Sequence, residues 1–176
     1  MRFSPFIAAG FVACVLQASA SQAAQQFEFS FSNVNGGVNG TVTGDLFLPD
    51  GDGTFGALSI LIDSAPAALG YTLPYSVLTN MPIIVTNTFT VSNHVITAGT
   101  YASQNSTEAF TLNYFQLGSL LSIKGSGSAS TGVQDGTNST LQYSFVSPAT
   151  ATPEPASMVV LLSGMIGLAA AARRRH

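Results

Sequence analysis

The stretch QQFEFSFSNVNGGVNGTVTGDLFLPDGDG, residues 25–53, decides the fold. Phe27, Phe29 and Phe31 alternate with Glu28 and Ser30. Val42, Leu46 and Leu48 resume the same two-residue period beyond a turn at Asn35-Gly36-Gly37. Successive side chains of an extended strand point to opposite faces, so this spacing gives each strand one apolar and one polar face. A surface helix would instead repeat its apolar residues three and four apart. No such pattern stands out between the two ends of the chain.

The alternation recurs downstream at Leu58, Ile60 and Ile62, at Phe89 and Val91, at Phe110, Leu112 and Tyr114, and at Leu141, Tyr143 and Phe145. Clusters of Asn, Gly, Pro and Asp separate these runs. Short alternating runs with turn signals between them predict antiparallel strands with one buried face. The expected fold is all-β, an antiparallel β-sandwich or barrel spanning residues 24–147. The Gly/Ser/Thr-rich stretch from Lys124 to Leu141 reads as a mobile loop between the last two strands.

Charge narrows the function classes. The whole chain carries a formal net charge of −3, but residues 24–151 hold seven acids and the single base Lys124, a net charge near −6. Nucleic-acid binding depends on several Lys or Arg contacts to phosphate, and one lysine cannot supply them. Solubility must come from hydroxyls and amides, a composition that suits a secreted domain.

The N-terminus has the order of a secretory signal peptide over residues 1–23. Arg2 precedes the apolar run Pro5 to Leu16, and the small residues ASASQAA follow. Cleavage is expected after Ala23 or Ala20. Cys14 is the one cysteine of the chain. Residues Phe11-Val12-Ala13 before it lack the leucine expected of a lipoprotein signal. If Cys14 leaves with the signal peptide, the mature protein has neither a disulfide nor a thiol nucleophile.

At the other end, Pro153-Glu154-Pro155 closes a linker over 148–155. Ala156 to Ala172 follow, 17 positions without a charge, and then Arg173, Arg174 and Arg175 within the basic end 173–176. As a helix the apolar run spans about 26 Å, the short end for a bilayer crossing. Its insertion energy is roughly −2 to −5 kcal/mol, enough for transient anchoring. The arginines hold their end on the cytoplasmic side, which places everything before Pro153 outside. The two prolines cannot continue a helix backward and form an extended collar.

These features resemble the PEP-CTERM sorting signal of Gram-negative bacteria that make extracellular polysaccharide. The resemblance rests on Pro153-Glu154-Pro155-Ala156-Ser157, the apolar helix with its small residues, and the closing arginines. It implies an exosortase as partner, a membrane-embedded cysteine protease or transpeptidase that cuts near the triplet. It also implies a route from inner-membrane anchoring, with the domain in the periplasm, to the cell surface or the biofilm matrix. Some ice-binding proteins carry a similar tail, which is also labelled an ice-binding protein C-terminal domain. Gly40 to Pro66 and Asn87 to Tyr101 resemble a module recurring among PEP-CTERM proteins, with His94 where glycine is common. That module has no assigned activity.

Candidate chemistry in the middle is sparse. Asp50-Gly51-Asp52-Gly53-Thr54 supplies alternating hard oxygens for calcium, with Asp45 as a third candidate ligand. Phe55 and Leu61 stand where an EF-hand needs glycine and glutamate, and a tight turn explains the same residues without metal. His94 lacks the partners of a zinc site or a serine triad and reads as a solvated turn residue. The acids sit mostly in apparent turns, which does not favour paired-carboxylate glycoside hydrolysis. Thr86, Thr88 and Thr90 alternate on one strand and Thr41 and Thr43 on another, a pattern that could order ice. Tyr71, Tyr75 and Tyr101 are candidates for stacking on sugars. The expectation is a non-enzymatic exported surface or matrix protein, needing no cofactor. The alternative is a binding module for calcium, extracellular polysaccharide or ice.

Overall fold

The computed structural model describes residues 24–126 and 131–146. The expected signal peptide, the Pro-Glu-Pro collar, the apolar helix 156–172 and the three arginines lie outside the described residues. Those described form eleven strands in two antiparallel sheets, with few and short helices, so the protein is all-β.

Strands β1 (Ala24–Ser32), β2 (Thr41–Pro49), β4 (Ser59–Ser64), β5 (Tyr75–Ser76) and β11 (Gln142–Val146) make the first sheet, in the order β11-β1-β2-β4-β5. Strands β3 (Gly53–Phe55), β6 (Ile83–Ser92), β7 (Val95–Gln104), β8 (Ala109–Tyr114), β9 (Gly118–Leu121) and β10 (Val133–Asp135) make the second, in the order β10-β9-β8-β7-β6-β3. A four-residue helix α1 (Val77–Asn80) joins β5 towards β6. The chain changes sheet between β2 and β3, returns at β4, and returns again from β10 to β11.

Period two is what lets these sheets share a core. Phe27, Phe29 and Phe31 of β1 are about 1 % exposed; Phe29 and Phe31 meet Phe110 of β8 at centroid distances of 5.8 Å and 6.5 Å, and Phe27 meets Phe145 of β11 at 5.5 Å. Tyr101 of β7 completes the contact at 6.0 Å from Phe110. Tilted rings at this spacing add to the burial of their large apolar area. Across β1 and β2, Phe29 pairs with Gly44, and the Phe29 ring lies over that glycine. A Cβ on Gly44 would collide with the Leu61 carbonyl oxygen and the Phe29 ring.

Two expectations need correcting. The stretch 124–141 is not a plain loop, because it contains β10, with Val133 and Asp135 fully buried. Asp135 binds its own connection: Thr140 donates to Oδ2 through its backbone N–H (2.6 Å) and hydroxyl (2.7 Å). Thr137 donates to Oδ1 through its N–H (3.2 Å) and hydroxyl (3.0 Å). Thr140 Oγ1 also accepts the Ser32 N–H at 2.9 Å, so the knot ties the end of β10 to the end of β1. A strand buried through hydrogen-bonded polar groups has no apolar alternation to reveal it. The second correction concerns Leu58, which is 48 % exposed and does not share the face of Ile60 and Ile62. Ala57 takes the buried place beside them, held by Asn87, whose Oδ1 accepts the Ala57 N–H at 2.6 Å.

Burial raises the Asp135 pKa, but the hydrogen bonds from Thr140, Thr137 and Ser139 outweigh it and hold the carboxyl down at about 2. A depressed carboxylate stabilises the fold above its unfolded pKa, and that stability drains away as pH falls through the folded value. We expect about 2 kcal/mol of urea-measured stability to disappear between roughly pH 4 and pH 2. Asp135→Asn should already be destabilised at neutral pH and should lose this part of the acid dependence. Gly44→Ala should cost about 1–3 kcal/mol by overpacking, read as a lower urea midpoint at unchanged slope.

Candidate functional site

The pleat that buries Phe27, Phe29 and Phe31 turns Gln26, Glu28 and Ser30 to the outer face of the first sheet. Neighbouring strands add to that face in register. Ser144 of β11, Glu28 and Asp45 of β2 form one row, and Gln142, Ser30 and Thr43 form the next. A bulge in the β2–β4 pairing between Thr43 and Gly44 leaves Asp63 of β4 without an opposite partner, and Asp63 joins the same face. Together these residues line a hollow of about 400 Å³.

Three carboxylates line the hollow, with no base among its lining residues. Glu28 lies directly opposite Asp45, a pairing that brings Cβ atoms to about 5 Å and disfavours like charges. Asp63 feels this: partial burial, then Asp45, then Glu28 push its carboxyl above the usual range. The acids are spread over three strands, and among the described residues no three His, Cys, Asp or Glu side chains converge to hold a metal ion. None of the eight Ser, Thr, Gln, Asp and Glu side chains of the hollow makes a hydrogen bond among the described residues. This is a surface of donors and acceptors left open, with an excess of negative charge.

Of the candidate site residues singled out in the sequence, Asp45 and Thr43 line this hollow and the others lie elsewhere. Asp50 and Asp52 sit in the β2–β3 turn, where Asp50 Oδ1 accepts the Gly51 N–H (3.0 Å) and Asp52 Oδ1 accepts the Asn93 N–H (2.8 Å). Gln25 braces the same turn by donating Nε2 to the carbonyls of Pro49 (2.9 Å) and Gly51 (2.8 Å). Asp45 does not join them. It is five residues up the strand from Asp50, about 16 Å away, facing Glu28.

His94 and Asn93 form the β6–β7 turn with φ of 60° and 49°, the left-handed pair that a two-residue hairpin requires. His94 is an exposed turn residue, as expected, and its ring stacks on Phe145 at 4.3 Å.

The tyrosines offer no open stacking platform. Tyr101 is 0 % and Tyr75 is 6 % exposed. Tyr71 packs edge-on against Tyr75 at 4.8 Å, and burial, partly opposed by the Ser122 hydroxyl, pushes its phenol up to about 12. Tyr75 donates to the buried Glu108 carboxylate at 2.5 Å. The threonine runs fall on different sheets. Thr88 and Thr90 line a shallow depression of about 290 Å³ on the second sheet with Thr100, and Thr54 bonds Thr90 there at 3.0 Å. Thr43 belongs to the acidic hollow, and Thr41 bonds Ser32 at 2.7 Å.

Sequence reasoning missed Glu28 and Asp63. The available signal was their position in the polar phase of their strands, which becomes a site only when strand order brings the phases together.

No protein-family model matches this chain, and no curated protein or solved structure is detectably similar to it. Among the described residues no helix is long and apolar enough to cross a membrane.

If neighbouring charge contributes to the Asp63 shift, Asp45→Asn should bring the Asp63 midpoint down towards an ordinary carboxylate value in an NMR carboxyl titration. An unmoved midpoint would assign the whole shift to burial.

Proposed function

We propose that this chain is a non-enzymatic exported protein of the cell surface or biofilm matrix, sorted by an exosortase through its PEP-CTERM-like tail. The observation that carries the reading is the three-part order of Pro153-Glu154-Pro155, the uncharged run Ala156 to Ala172, and Arg173-Arg174-Arg175. The signal-peptide pattern over residues 1–23 supports the same route. In this reading an antiparallel sandwich is held in the periplasm by a weak membrane helix. Cutting at the proline collar then sends it to the surface or matrix. The described domain suits such tethering, because Gln26 near its start pairs with Val146 at its end, so both connections leave from one end.

The second reading is a binding module, and the open polar hollow favours extracellular polysaccharide as its ligand. Calcium at Asp50 and Asp52 is less favoured, since both carboxylates already brace backbone N–H groups. An ice-ordering face is less favoured as well, since the threonine runs lie on opposite sheets.

Changing Pro153-Glu154-Pro155 to three alanines should trap the full-length chain in the membrane fraction of the producing cell, measured by fractionation and mass. Unaffected processing and release would reduce the tail to a plain anchor.

A further inference from the structure

We infer that the open edge of β6 is a contact surface for a second copy of this chain, joined by antiparallel pairing of the two β6 strands. The inference goes beyond the sorting and polysaccharide readings and rests on neither.

The backbone leaves the edge open. β6 pairs with β7 from Ile83 to Ser92, but β3 covers its other edge only from Phe89 to Val91. Asn87 ends that cover. Its side-chain amide stands in for a strand backbone, accepting the Ala57 N–H at 2.6 Å and donating to the Ala57 carbonyl at 3.3 Å. The chain then leaves for the first sheet, where the Leu58 N–H bonds the Phe47 carbonyl at 2.8 Å. From Ile83 to Thr86 the backbone groups turned away from β7 have no partner among the described residues. A row of unpaired donors and acceptors is a template for another strand.

The side chains along this edge are those of a covered strand. Ile83, Ile84 and Val85 are 54 %, 45 % and 54 % exposed, and Leu58, one residue past the Asn87 contact, is 48 % exposed. Further along β6 the usual alternation holds, with Phe89 and Val91 buried between Thr88, Thr90 and Ser92. A strand with one solvated face keeps polar residues there, whereas consecutive apolar residues belong to a strand covered on both faces. The register shift between Ile84 and Thr86 sets Val85 outside the ladder with β7. A bulge can blunt an edge, but this one presents an apolar side chain, and β6 has no charged residue to guard it.

Charge selects the partner. Residues 64–107 contain no Asp, Glu, Lys or Arg, in a domain whose formal charge is near −6. Two such domains repel each other in most orientations, and least where their uncharged surfaces meet. Glu28, Asp45 and Asp63 lie on the outer face of the first sheet. Asp52 bonds Asn93 at the far end of β6, roughly 25 Å along the strand from Val85. Glu108, in the turn after β7, is buried and bonded by Tyr75. The edge therefore gives a charged ligand nothing to pair with. A second β6 supplies an open edge with the same β-branched apolar side chains, and a twofold axis lets each copy satisfy the other in one closed contact.

The test is sedimentation velocity of the purified full-length chain in neutral detergent, from about 1 to 100 μM. The parent should pass from monomer to dimer as concentration rises. Val85→Lys should weaken association roughly tenfold or more, although it lowers the net negative charge, because it sets a charge in an apolar contact. Val95→Lys makes the same charge change at an exposed valine beyond the far end of β6 and should leave association within about twofold. Both change exposed side chains, so circular dichroism and urea midpoint should match the parent. In a Cys14→Ser background, Ile84→Cys should give a covalent dimer with a short bis-maleimide, and Val95→Cys should not.

A chain that stays monomeric throughout would overturn the inference. So would a dimer that Val85→Lys leaves intact, which would place association at the tail or another surface. A monomeric chain that captures an added peptide of residues 82–88 would assign the edge to a foreign strand, and self-pairing would fall. The fractionation result for the tail is independent of all these outcomes.

Discussion

Everything in this domain depends on the pleat of β1. The strand is paired on both sides, to β2 and to β11, so its two faces cannot rotate independently. One face carries Phe27, Phe29 and Phe31 into the core, and the other carries Gln26, Glu28 and Ser30 into the hollow. A slip of one residue would exchange them, burying Glu28 and exposing the phenylalanines. The close fit of Phe29 over Gly44 opposes that slip, and the same register sets Glu28 opposite Asp45. Core packing therefore determines the electrostatics of the outer surface.

Several polar side chains in this protein have structural duties. Asn87 and Gln25 bond backbone groups far along the chain, whereas Asp135 binds its own following turn. Asp135 and its threonines connect the end of β10 to β1, which links the two sheets without an apolar contact. Removing such a group strands its partners in a water-poor setting, and that is why these positions matter for stability. The side chains of the hollow are uncommitted. In a domain whose formal charge is near −6, concentrating three acids on one face costs stability through mutual repulsion.

The all-β class and the inward phenylalanines were legible from alternation, because burial on one face leaves a period-two trace. Other assignments failed for physical reasons. Leu58 looked like a core residue because it keeps phase with Ile60 and Ile62, yet Asn87 pulls the backbone of Ala57 inward and displaces it. β10 left no trace because two of its three residues are polar and are buried through hydrogen bonds. Tyr71, Tyr75 and Tyr101 read equally as surface or core residues, since tyrosine suits both, and all three are largely in the core. His94 was identified as a turn residue, but its packing on Phe145 joins segments 51 residues apart, beyond any local reading.

By itself the sequence determined which residues alternate, where the turns fall and how acidic the middle of the chain is. These are properties of neighbours along the chain, set by strand geometry, turn chemistry and composition. Only the tertiary structure decided which polar phases lie side by side. Asp45 was grouped with Asp50 and Asp52 by proximity in sequence, but strand rise carries it away from them and pairing delivers it to Glu28 and Asp63. The hollow exists because β11, β1, β2 and β4 adopt that order with a bulge at Asp63. Strand order is a long-range choice made by the packing of the core, and no local pattern contains it.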